Sequence, residues 1–161
     1  SEYHNLPIIN GQGQKAGLDY RARDVVFAHT QESTALKLEL AGAYPQEAGV
    51  LRWTRTYSLQ RQPQAMVLIE DDYQLTFAQS IEIVFMLPGK PMIKEGFVQL
   101  FTATKSFKLT CSPNLFNPYL ERINITDRRL EEVWGQAVYR LKYVMNKPVK
   151  RAQFSLSIQK I

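Results

Sequence analysis

Hydrophobic and polar residues alternate with a period of two along most of the chain. In the segment 35–40, leucines at every second position alternate with Lys37 and Glu39. The same alternation recurs at 81–87, 107–111 and 154–158. Because successive side chains of a β-strand point to opposite faces of the sheet, each segment predicts a strand with one buried and one solvated face. This pattern is typical of antiparallel sheets.

Short turn signals separate the predicted strands. Glycine, proline and asparagine cluster at 10–13, 41–42, 46–49, 88–91, 113–114 and 117–118. A loop at 60–64, centred on Pro63, links a strand at 50–59 to its neighbour at 65–70. The runs between turns predict roughly ten strands in an all-β, antiparallel β-sandwich. Little helix is expected: one helical turn at 127–134, with Thr126 or Asp127 as its N-cap.

Length and composition fit a single domain spanning residues 1–161. The chain has 161 residues, of which 45% are hydrophobic, and a domain of this size buries about two-thirds of its unfolded surface. The longest apolar run, at 83–88, is far shorter than the roughly 20 residues of a membrane-spanning helix. No membrane span is therefore expected. The single cysteine, Cys111, excludes an internal disulfide framework and a zinc site built on several cysteines.

The basic balance of the chain favours anionic partners. Its formal charge is +5 and its isoelectric point about 9.3, which is compatible with an acidic polysaccharide. The basic residues are otherwise scattered as expected for solvated strand faces, and the only dense run comprises Lys147, Lys150 and Arg151. A nucleic-acid partner is not expected, since an RNA-recognition fold would interleave helices with its sheet and place stacking aromatics beside a basic run.

Four polar or aromatic positions in the central segment have structural interpretations. Asp71 and Asp72 follow an apolar run and predict a turn after the strand. Trp53 lies in the apolar phase of its strand, which predicts core packing. Arg55 shares that phase, so a buried guanidinium would need a partner, and Glu39 or Asp72 could supply the carboxylate.

The most distinctive polar residues lie at the beginning of the chain. His4 beside Asn5 offers a metal ligand, or a hydrogen-bonding pair for a sugar carboxylate or hydroxyl. Spacing alone favours a terminal strand with both side chains in water, because one histidine does not make a metal site. Four tyrosines either stack on sugar rings or anchor strand ends: Tyr3, Tyr20, Tyr44 and Tyr119.

The sequence Tyr-His-Asn-Leu-Pro-Ile-Ile-Asn-Gly at 3–11, with Gln14 and Gly17, resembles the start of the C-terminal β domain of heparinase II/III-like polysaccharide lyases. Further similar segments follow in order, at 43–45, 50–56, 69–73, 134–135 and 139–141. The resemblance spans nearly the whole chain. It implies a layered antiparallel β domain that follows an N-terminal α/α toroid lying outside this chain. It also implies a bacterial enzyme that is periplasmic or extracellular.

The resemblance implies a supporting role for this chain. Such lyases cleave acidic polysaccharides by β-elimination, in which a base removes a proton and an acid protonates the leaving oxygen. The toroid and an earlier part of the β domain supply these groups, so a C-terminal fragment is expected to be inactive alone and to support the cleft and the substrate. No catalytic residue is assigned within it.

The resemblance also implies roles for three N-terminal residues. His4 matches a histidine that helps to bind a structural zinc in some relatives. The remaining ligands would precede Ser1, so the chain needs no cofactor, and zinc is expected only in the full-length parent. Asn5 and Tyr3 are expected to face the substrate.

Two other functions fit the same residues. A free-standing carbohydrate-binding module would bind anionic glycans without a catalytic partner. A purely interdomain brace would instead expose one apolar patch toward the lost partner surface.

Overall fold

The computed structural model describes residues 3–161, which form two antiparallel β-sheets and one short helix. The twelve strands are β1 (Pro7–Ile9), β2 (Arg23–His29), β3 (Ser33–Glu39), β4 (Val50–Gln60), β5 (Met66–Gln79), β6 (Ile81–Leu87), β7 (Met92–Lys94), β8 (Phe97–Phe101), β9 (Ser106–Cys111), β10 (Phe116–Asn124), β11 (Ala137–Met145) and β12 (Val149–Lys160). Helix α1 spans Arg128–Trp134, and 3₁₀ turns occur at Ala41–Ala43 and Gln46–Ala48. The predicted all-β, antiparallel sandwich is confirmed. The structure has more strands than the sequence predicted. The main reason is that β1 and β7, with three residues each, are too short to show an alternation pattern.

The two sheets differ in size. The small sheet has the strand order β1-β6-β11-β10, and the large sheet has the order β2-β3-β4-β5-β12-β9-β8-β7. The chain passes from one sheet to the other at several points, as at Ser80 between β5 and β6. The sheets therefore share one core.

Aromatic side chains fill the space between the sheets. Phe116 of the small sheet meets Phe154 of the large sheet, with ring centroids 4.7 Å apart. Tyr73 stacks on Trp53 at 4.8 Å, and its hydroxyl lies 3.4 Å from the sulfur of Met145. Trp53 is fully buried, so its predicted place in the core is confirmed. These contacts join the two layers.

A buried ion pair joins β4 to β5 inside this core. The Nε and Nη2 atoms of Arg55 each donate to a carboxylate oxygen of Asp71 at 2.8 Å. The indole Nε1 of Trp53 also donates to Asp71, at 2.6 Å. Burial alone would lower the pKa of the Arg55 guanidinium, but the charge and hydrogen bonds of Asp71 outweigh it and raise that pKa above its ordinary value. The Arg55 guanidinium therefore stays charged at all ordinary pH values.

The structure corrects two predictions for this region. Asp71 and Asp72 do not form a turn, because β5 continues through them to Gln79. Asp71 is tolerated within the strand since Arg55 neutralises it, whereas Asp72 points to the opposite face and pairs with Arg52 at 2.6 Å. The carboxylate partner of Arg55 is thus Asp71.

The other predicted partner, Glu39, has a different role. One of its carboxylate oxygens accepts from the backbone N–H groups of Trp53 and Ala41, at 2.6 and 3.0 Å. It therefore stabilises the end of β3, where the chain turns toward β4.

Cys111 is buried, and burial raises the pKa of its thiol from 9.0 to about 12. At pH 8 the native thiolate fraction is then lower by about a thousandfold than that of an unperturbed thiol. We expect Ellman's reagent to react with the native protein at least a hundredfold more slowly, as an order of magnitude, than with protein unfolded in guanidinium chloride. Equal rates in the two states would contradict the buried position of this cysteine.

Within residues 3–161, no helix is long and apolar enough to cross a membrane.

Candidate ligand groove

A groove of about 590 Å³ lies at one end of the small sheet, beside the first residues that the structure describes. We call it the N-terminal groove. Its lining includes the N-terminal segment Tyr3, His4 and Asn5, the β6 end at Leu87 and Pro88, and residues of β10, α1 and β11. All three N-terminal residues predicted from the resemblance therefore lie in one groove.

Backbone and side-chain hydrogen bonds hold the N-terminal segment against β6. The side-chain Oδ1 of Asn5 accepts from the backbone N–H of Met86 at 2.7 Å. The backbone carbonyl of the next residue, Leu6, accepts from the N–H of Val84 at 3.1 Å. Asn5 thus extends the pairing of β1 with β6 by one side-chain contact.

Helix α1 forms the apolar wall of the groove. Its N-cap is Asp127, whose side chain accepts from the N–H of Arg129 at 2.8 Å, so one of the two caps predicted from the sequence is confirmed. Leu130 and Trp134 are four residues apart, which places them on one face of the helix, and both line the groove. They are 51% and 50% exposed. A half-exposed indole beside a leucine offers an apolar platform for a flat ligand or a partner surface.

Tyr3 lies where the groove meets the outer face of the small sheet. Its ring centroid is 5.7 Å from the guanidinium carbon of Arg140, a cation–π contact. Arg140 also donates to Glu121, at 2.9 and 3.0 Å from its Nη2 and Nε atoms. The Tyr3 ring is 60% exposed, so Arg140 holds it in place without covering it.

The residues of the groove do not by themselves form a zinc site. Among residues 3–161, no three His, Cys, Asp or Glu side chains are grouped so that they could hold a metal ion. Asp127 shares the groove with His4 but serves as the cap of α1. A structural zinc needs four ligands, so the donor set in the described part of the chain does not fit one. His4 as a zinc ligand of a longer protein stays a prediction.

The other predicted tyrosines lie outside the groove. Tyr44 is a buried anchor: its hydroxyl donates to the carbonyl of Pro7 at 2.7 Å, and burial raises its pKa above the ordinary value. Tyr119 is exposed on β10, and Tyr20 is partly exposed before β2. The alternative of a strand anchor thus holds for Tyr44.

Sequence reasoning did not find the helix side of the groove. Leu130 and Trp134 lie in the helical turn predicted at 127–134, and Trp134 also in a short similar segment, but the sequence assigned neither residue to a site. The signal was present in the apolar pair at 130 and 134 following the cap at Asp127. What the sequence did not reveal was that α1 is placed beside the N-terminal segment, because the two are more than 100 residues apart.

The fold of the described chain recurs in solved structures of a heparan sulfate lyase and of heparinase III. It superposes on the heparan sulfate lyase HepC from Pedobacter heparinus with a TM-score of 0.73 and 10% identity, covering 99% of this chain and 24% of that chain. Heparinase III gives a TM-score of 0.65 at 13% identity, covering 98% of this chain and 23% of that one. This chain has the fold of one part of these lyases. The resemblance noted in the sequence is thereby confirmed at the level of the fold.

The chain spans about a quarter of the length of these structural neighbours. A further structure described as a heparinase III gene product gives a TM-score of 0.64 at 12% identity. The chain matches no protein-family model and no curated protein sequence.

Proposed function

We propose that this chain is the non-catalytic C-terminal β-sandwich part of a heparinase II/III-like polysaccharide lyase that acts on acidic polysaccharide. The observation that carries the proposal is the superposition of 99% of the chain on about a quarter of a heparan sulfate lyase. In this role the domain supports the substrate cleft next to an α/α toroid. The parent enzyme would be bacterial and periplasmic or extracellular.

The proton-transfer groups of the chain support the non-catalytic role. The two histidines are His4, in the N-terminal groove, and His29, on strand β2, where its Nδ1 lies 3.0 Å from the hydroxyl of Thr34. Burial raises the pKa of Tyr73 to about 12, and it raises the pKa of Tyr143 as well. Such tyrosines are poor bases near neutral pH. These two buried tyrosines are therefore not assigned acid–base roles, and we assign that chemistry to other parts of the parent.

An activity assay on the chain alone tests this inactivity. The 161-residue chain is incubated with heparin, heparan sulfate and alginate, and the ultraviolet absorbance of the unsaturated product is followed. We expect no product above the rate of a boiled sample. Clear turnover would show that a complete catalytic set lies within these residues.

The N-terminal groove is the surface that we assign to the cleft. We expect Trp134→Ala, in a protein that includes the toroid, to raise KM about two- to tenfold, because an aromatic contact contributes about 0.5–1.5 kcal/mol. Steady-state kinetics measure the effect. The matched control is Val133→Ala, since Val133 is 73% exposed and does not line the groove. Equal KM values for the two variants would show that the groove is not part of the substrate cleft.

The alternative of a free-standing carbohydrate-binding module is favoured by the exposed aromatics Tyr3 and Trp134 in one groove. It predicts that the chain alone binds an anionic glycan through this groove, with an affinity that falls as salt rises. Calorimetry of the chain and its Trp134→Ala variant at low salt separates the two functions. Binding that the variant loses would support the module, whereas binding that it retains would argue against it.

A further inference from the structure

One edge of the large sheet carries a group of lysines on neighbouring strands. The segment 90–108 contains four lysines and a single acidic residue, Glu95, which gives a formal +3 out of +5 for the whole chain. The four are Lys90, Lys94, Lys105 and Lys108, and we call them the lysine patch. Strands β7, β8 and β9 and the turns around them carry all four. This edge lies outside the N-terminal groove.

The lysines of the patch lack acidic partners. Each of the five salt bridges found among residues 3–161 involves an arginine or Lys142, and none involves the patch. By contrast, Arg140 and Lys142 on the small sheet are both paired with glutamates. The lysine patch is therefore a surface of uncompensated positive charge, which attracts anions by its field.

An aromatic ring organises the centre of the patch. The Nζ atoms of Lys94 and Lys108 lie 5.6 and 5.1 Å from the ring centroid of Phe97. In β8 and β9, Val98 and Leu109 face the core and are fully buried, so Phe97 and Lys108 alternate onto the outer face of the sheet. Both ammonium groups are thus held over the ring of Phe97. Their two Nζ atoms are closer to each other than the sum of their distances from the ring centroid.

The remaining lysines extend the patch along the hairpins. Lys90 precedes β7, and Lys105 lies in the turn between β8 and β9. Because β7 and β8 are antiparallel, with Met92 opposite Gln99, the start of β7 and the end of β8 lie at the same end of the sheet. The patch therefore extends along these strands, with Lys90 and Lys105 at one end and Lys94 at the other.

We propose that the lysine patch is a second binding surface for an acidic polysaccharide, separate from the N-terminal groove. Regularly spaced carboxylates or sulfates on a sugar chain match a set of separate lysine charges. Phe97 is half-buried and has two ammonium groups over its ring, so it offers no free face for a nucleic-acid base. The choice of ligand class rests on the proposed function, but the binding itself requires no lyase activity.

The test is calorimetry of the 161-residue chain with heparin, which carries sulfates, and with alginate, which carries only carboxylates. We expect Lys94→Gln/Lys108→Gln to bind heparin about tenfold more weakly at low salt, since two exposed ion pairs with the polysaccharide are lost. The magnitude of the slope of log K against log salt should also fall by about two. The reason is that two fewer counterions are released on binding, as for other polyanions. Thermal melts confirm that this double variant and the control variant described next are folded.

The matched control is Lys147→Gln/Lys150→Gln, which removes the same charge from the β11–β12 turn and from the start of β12. A control that weakens binding as much as the patch variant would overturn the proposal, because net charge would then account for the effect. Stronger binding to phosphatidylserine vesicles or to single-stranded DNA than to either polysaccharide would overturn the ligand class. If the patch binds heparin but the lyase assignment fails, only the proposed function is overturned and the proposal for the patch stands.

Discussion

The substitution Asp71→Asn is expected to lower the free energy of unfolding by about 3–5 kcal/mol, because it leaves the Arg55 guanidinium buried without a counter-charge. Both residues are only 2% exposed. For a domain of this size the loss corresponds to a fall in Tm of roughly 6–20 °C. Urea denaturation followed by tryptophan fluorescence measures the first quantity, and calorimetry measures the second.

The neighbouring residue provides a matched control. Asp72 pairs with Arg52 at 2.6 Å, but these side chains are 34% and 42% exposed. Asp72→Asn is expected to cost at most about 1 kcal/mol. The hydrogen bond from Arg52 lowers the pKa of Asp72, so the contribution of this pair is present above the ordinary value of 3.8 and is lost as the pH falls below it. Similar losses for the two asparagine variants would contradict the assigned difference in burial.

A double variant separates the charge from the packing. Arg55→Met/Asp71→Leu removes both members of the ion pair, and buried pairs replaced in this way regain most of the lost stability. The recovery here is expected to be incomplete, because Trp53 Nε1 loses its acceptor, at a cost of about 1–3 kcal/mol. A double variant as unstable as Asp71→Asn would show that the unpaired charge is not the main cause.

The substitution Phe154→Ala is expected to destabilise the domain by about 3–5 kcal/mol, since it opens a cavity between the sheets. The Phe154 ring lies 4.7 Å from that of Phe116 and 6.4 Å from that of Tyr73. Chemical denaturation measures the loss.

Phe77→Ala is the corresponding control for this core substitution. Phe77 lies on strand β5 and is 69% exposed. Its removal is expected to change stability by no more than about 0.5 kcal/mol. Comparable losses in the two alanine variants would mean that the space between the sheets is not the core of the protein.

The alternation of side chains determined most of the strands. The alternating apolar positions of 81–87, 107–111 and 154–158 all face the core. This success has a physical basis, because a strand with one solvated face must alternate. The same rule failed at Asp71, where a charged residue occupies a core position, since neutralisation by Arg55 depends on a residue of another strand.

The candidate site was only half predictable. Tyr3, His4 and Asn5 could be singled out because they are adjacent in sequence and resemble a known segment. The opposite wall, with Leu130 and Trp134, required the pairing of β10 and β11 beside β6. Strand pairing over such separations is decided by the packing of the whole sheet rather than by local propensity.

The lysine patch shows the same division between local and tertiary information. Along the chain its four lysines appear scattered, and the only dense basic run is at 147–151. Two consecutive hairpins bring Lys94 and Lys108 over one ring.

The sequence by itself therefore determined the all-β class, most of the strands, the capped turn at α1 and the N-terminal segment of the groove. Only the tertiary structure decided the partner of Arg55, the second wall of the groove and the grouping of lysines at β7–β9. The physical reason is that side-chain alternation is a local property of an extended chain, whereas ion pairing, groove walls and surface potential depend on which distant strands become neighbours.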